Sequence, residues 1–108
     1  MLTRSITAWL TAERLAKLAE RVASRSRLAV WQRVMHRLPT LGVIEARGYL
    51  RARATTIIRE ETDRLVEQEG AVAAAHRDEI AAAATAQLVE TILSTNQQRA
   101  ASQGRFAA

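Results

Sequence analysis

A chain of 108 residues with one proline, four glycines and 22 alanines among its 52 apolar residues is one small domain, rich in helix formers and poor in turn punctuation. It has no cysteine, which excludes a disulfide scaffold, thiolate chemistry and a cysteine-based zinc site. Its net charge of +5 is uneven: residues 1–38 carry eight basic and two acidic groups, residues 39–70 five and six, residues 71–108 three and three. Anion-seeking behaviour therefore belongs to the first third.

No run approaches the roughly 18 apolar residues of a membrane span. Glu13 and Lys17 interrupt the opening before a secretory signal's apolar core can form. A cytoplasmic location is the expectation. The strong preference for Arg over a single Lys is of the kind GC-rich bacterial genomes encode.

Residues 5–25 read as an amphipathic helix with Leu15, Leu18, Ala19 and Val22 on one face. Ser24-Arg25-Ser26 predicts a break, because either serine can cap a new helix. The next helix then carries Leu28, Trp31, Val34, Met35 and Leu38 on one face and ends at Pro39. A longer helix is predicted over residues 43–69, with Val43, Leu50, Ala54, Ile57, Ile58 and Leu65 in its stripe. Gly48 inside it costs roughly 1 kcal/mol against alanine, which a close helix approach would justify. Gly70 is the stop. The last helix, 71–95, uses Val72, Ile80, Ala84, Leu88, Ile92 and Leu93, and residues 96–108 read as a polar C-terminal tail. The expected fold is thus all-α: one domain over residues 1–95, a bundle of three to four helices with a long hairpin, self-associating because alanine buries little area.

Motifs for chemistry are missing. The sequence holds no Gly-rich phosphate loop, nucleophile elbow or zinc-protease helix. His76 and Glu79 lie one turn apart but want further ligands, and Glu60, Glu61 and Asp63 read as a solvated acidic cluster. Glu60 stands four residues before Arg64, the favourable order for a surface pair. No catalytic residue, cofactor, metal or small-molecule substrate is expected, and the chain reads as a non-enzyme.

Two features invite a partner. Arg14, Lys17, Arg21 and Arg25 form a basic stripe on the first helix. It suits an acidic protein, the phosphates of nucleic acid, or an acidic membrane surface with Trp9 at the polar boundary. The second feature is the run ARGYLRARA at residues 46–54. On a helix it splits: Arg47 falls within the apolar stripe and Arg51 at its edge, while Tyr49 and Arg53 point elsewhere. Glu61 also lies in the stripe. Packed antiparallel about Ala54, two copies would set Val43 against Leu65, Arg47 against Glu61, Leu50 against Ile58 and Arg51 against Ile57. That is the self-complementarity of a two-fold interface. The expected function is therefore a homo-oligomeric scaffold, adaptor or accessory subunit acting through protein contacts. Nucleic-acid and membrane binding are the alternatives.

Overall fold

A computed structural model describes the backbone of residues 2–107 and the side chains of residues 11–102. Four helices follow in order: α1 (Leu2–Val34), α2 (Val43–Glu69), the short α3 (Ala71–Ala75) and α4 (Arg77–Ala107), with a 3-10 turn at Leu38–Thr40. The three long helices pack pairwise as an elongated all-α bundle of 61 × 28 × 20 Å. The turn after α1 reverses the chain into α2, and the bend at Gly70 reverses it again, so α1 and α4 run parallel with α2 antiparallel to both.

The expected break at Ser24-Arg25-Ser26 does not occur; α1 is continuous through it. The reason lies in packing. Val22, Ser26, Val30 and Val34 recur at four-residue steps and all are buried, so Ser26 occupies a core position within a longer stripe. Serine's weak helix propensity is overridden by the buried neighbours on both sides. Its hydroxyl has no hydrogen-bond partner among the described residues.

Pro39 does end the α1 segment, though the α-helix stops at Val34 and the chain tightens into the 3-10 turn, with Leu38 fully buried. The proline ring cannot coexist with a helical carbonyl four residues earlier. Gly42 caps α2 through its carbonyl, which accepts from Ala46 N–H at 2.8 Å. The bounds of α2 match the reading from sequence. It ends where Gly70 turns to φ 93°, a conformation other residues adopt only with strain. The expected helix over 71–95 is divided at His76, whose ψ of 23° separates α3 from α4. It also runs on through residues 96–107, where the sequence suggested a tail. Ala, Gln and Arg there are strong helix formers, and the segment continues an already nucleated helix. Gly48 has no close helix neighbour: nothing lies within 4 Å of where a Cβ would sit.

The core is made from within one chain. Val22, Val30 and Val34 of α1, Leu50, Ile58 and Leu65 of α2, and Ile80, Leu88 and Ile92 of α4 are all at most 1–2% exposed. Ala19, Ala54 and Ala84 lie among them, fully buried. Small side chains let helix axes approach at the short end of the usual 8–10 Å range, so a modest apolar volume still closes the interior. The apolar face of α2 is thereby covered without a second copy.

The continuous α1 makes a sharp prediction. Ser26→Ala removes an orphaned buried hydroxyl and improves helix propensity, so it raises the unfolding free energy by about 1 kcal/mol. A helix-capping role at this position would give the opposite sign, a loss of about 1 kcal/mol. Urea denaturation followed by circular dichroism separates the two.

Candidate functional site

The residues expected at a two-fold interface are largely accounted for inside the chain. Leu50, Ala54, Ile58 and Leu65 are fully buried against α1 and α4, and Ile57 packs half-buried on the same core. They are not available to another copy in this fold. Val43 remains 63% exposed at the start of α2, and Arg51 is exposed. Arg47 does not seek Glu61. It donates instead to Glu90 of α4. Glu61 takes Arg25 of α1 at 3.9 Å and Arg64 at 2.7 Å, so Arg64 pairs with Glu61 and not with Glu60. Arg47 and Glu61 thus each meet partners of their own chain, where the reading from sequence paired them across two copies. The physical reason is that a stripe wrapped by two helices leaves its edge charges facing those helices.

The basic stripe has a similar fate. Arg21 donates to Glu69 at 2.7 Å, Arg14 approaches the same carboxylate at 3.7 Å, and Arg25 holds Glu61. These pairs tie α1 to α2. Lys17 is exposed and makes no ion pair among the described residues. Trp9, which the membrane reading uses, lies outside the residues whose side chains are described. The arginines beside Tyr49 also serve the fold: Arg37 and Arg53 sit 5.6 and 5.3 Å from its ring centre, and its hydroxyl donates to the Arg33 carbonyl at 3.4 Å.

Among the described residues, three grooves of different chemistry lie between helices, and a fourth, about 550 Å³, lies along the Lys17, Arg21 and Arg25 face of α1. The largest, about 700 Å³, runs between α2 and α4 over Ala81, Ala82 and Ala86. Its charges are mixed, with Arg77 on Asp63 at 3.4 Å. Its hydroxyls, on Thr55, Thr62 and Thr85, each donate to the carbonyl one turn back. Nothing there converges on a ligand. The groove between α1 and α2, about 450 Å³, is crossed by the Arg25–Glu61–Arg64 cluster.

The third groove, between α1 and α4, is different. It measures about 440 Å³ and has an apolar centre of Leu28, Trp31 and Ile92. Leu28 is 66% exposed, Trp31 half-buried, and Ile92 almost fully buried as the floor. Arg27 stands on one rim and Arg99 on the other, and no acidic residue lines it. Arg99 lies over the Trp31 ring at 5.4 Å. Neither Arg27 nor Arg99 makes an ion pair among the described residues.

The sequence reading missed this site because it put Leu28 and Trp31 on one face with Val34 and Leu38. The four-residue recurrence of Val22, Ser26, Val30 and Val34 is the signal that separates them: it sets the core stripe and leaves Leu28 outside it. For metal chemistry, His76 Nδ1 lies 3.5 Å from Glu79 Oε1, and no group of three potential metal ligands forms among the described residues. Among those residues, no helix is long and apolar enough to cross a membrane. Comparison with known proteins finds no matching family, no matching curated protein and no matching solved structure.

Two of the ion pairs shape the acid response. The hydrogen bond from Arg21 holds Glu69 below the ordinary carboxylate value of 4.5, helped by the charges of Arg21, Arg14 and Arg25. The hydrogen bond from Arg47 does the same to Glu90, with help from the charges of Arg47 and Arg51. A carboxylate depressed in the folded state contributes stability that is fully present above its unfolded pKa and is lost as pH falls through the folded value. Thermal melts should therefore show a falling Tm below about pH 4.5. Glu69→Gln and Glu90→Gln should each flatten that acid limb, with only a small loss of Tm at neutral pH because both pairs face solvent.

Proposed function

We propose that this chain acts without catalysis, as an adaptor or accessory subunit that binds another protein through the groove between α1 and α4. One observation carries the reading: Leu28 stands 66% exposed beside a half-buried Trp31 in an open groove. Tryptophan and arginine dominate the energetics of protein interfaces, and a recessed aromatic with an apolar neighbour is the usual anchor. A core that is already closed has no folding use for Leu28 on the outside.

The nucleic-acid reading has less support. Three of the four cations of its stripe are engaged by Glu61 and Glu69, and phosphates would have to displace those carboxylates. Self-association stays within the protein-contact reading, since a second copy is one kind of protein partner, but the buried face of α2 no longer offers its surface.

A photo-crosslinking amino acid at Leu28 tests the reading in cells. It should give one discrete protein adduct, absent when the same group is placed at Ala82 on the α2–α4 groove. An adduct of twice the 11.9 kDa chain mass would identify a second copy. Equal crosslinking at both positions would refute the reading. So would binding to random-sequence DNA or RNA that weakens steeply with salt.

A further inference from the structure

We infer that the α1–α4 groove receives an acidic amphipathic helix of a partner protein, about two to three turns long. The inference rests on the protein-contact reading and adds the partner's chemistry. The groove's shape argues for a helix. Ser24, Leu28 and Trp31 on α1 stand at steps of four and three, and Ile92, Thr95 and Arg99 on α4 at steps of three and four. Both walls therefore span two helical turns, about 10 Å. A helix laid along such a trough presents its own i, i+3 or i+4, and i+7 side chains to it. A volume of about 440 Å³ suits a few aliphatic side chains from that face.

Charge argues for acidity. Arg27 and Arg99 bracket the apolar centre from opposite helices, no carboxylate lines the groove, and neither guanidinium is paired among the described residues. This contrasts with the α1–α2 side, where Arg14, Arg21 and Arg25 all face carboxylates. Glutamates flanking an apolar stripe would reach both rims, and a basic helix would meet two like charges. Arg99 over Trp31 also gives the aromatic wall a cationic lid that an acidic residue can draw aside or join.

The experiment titrates the full-length chain with two fluorescein-labelled peptides of roughly three turns. Both carry leucines at i, i+3 and i+7, one with flanking glutamates and one with lysines there. Anisotropy reads affinity, and amide chemical shifts read location. The glutamate peptide should bind, shift the amides of residues 24–31 and 92–99, and exceed the lysine peptide by at least about tenfold. The double variant Arg27→Glu, Arg99→Glu should reverse that preference, which also shows that the variant still folds.

Equal binding of both peptides in the groove, or an unchanged preference in the variant, would overturn the acidic partner and leave the groove as a protein contact. If neither peptide moves the groove amides while vesicles of phosphatidylcholine and phosphatidylserine do, the groove is a lipid contact and both readings fall. Shifts confined to other residues overturn the docking site.

Discussion

The enclosure of α2 by α1 and α4 governs the rest of this molecule. Leu50, Ala54, Ile58 and Leu65 form one stripe down α2 and all are fully buried by helices of the same chain. With that stripe covered, the charges at its edges are brought against neighbouring helices and paired there. Arg47 meets Glu90 on α4, Glu61 meets Arg25 on α1, and Glu69 gathers Arg14 and Arg21. The ion pairs sit at the rims of the packed interface and fix which helix faces which. Apolar burial supplies the driving force, and exposed pairs of this kind add little beyond it.

Enclosure also decides what is left outside. A helix packed between two others spends one broad face on the core. On α1 that face is the recurrence of Val22, Ser26, Val30 and Val34. Leu28 falls outside that stripe, in the groove beside α4, and Trp31 falls at the boundary where α4 passes. The three grooves of a three-helix bundle are thus unequal by sequence and not by geometry. One is crossed by an arginine–glutamate cluster, and one is floored with alanine under mixed charge. The third keeps an apolar centre with unpaired arginines on both rims. Among the three, the last sets an exposed leucine and a tryptophan beside arginines with no carboxylate in the lining.

Alanine has a double role in this economy of volume. Its small area suggested a core too thin to close alone, yet Ala19, Ala54 and Ala84 sit fully buried at the helix contacts. Small side chains at those contacts allow helices to pack closely where bulk is lacking. Ser26 follows the same logic at some cost: a small side chain fits the α1 stripe, and its hydroxyl goes without a partner.

What the sequence by itself determined was local. Composition settled the all-α class, Pro39 and Gly70 settled the two reversals, and the periodicity of residues 43–69 settled α2, because proline, positive φ and the 3.6-residue repeat act within a few positions of one another. What tertiary structure decided was every question of which surface meets which. Ser24-Arg25-Ser26 looked like a cap because serine caps well in isolation, and it became helix because its position lands in a core built by distant residues. Arg47 and Glu61 looked like partners across two chains because they share a stripe, and they found Glu90 and Arg25 once α4 and α1 closed over it. Leu28 looked buried and lies exposed. Local propensity reads along the chain, whereas burial and pairing depend on helices tens of residues away, and that information exists only after they have packed.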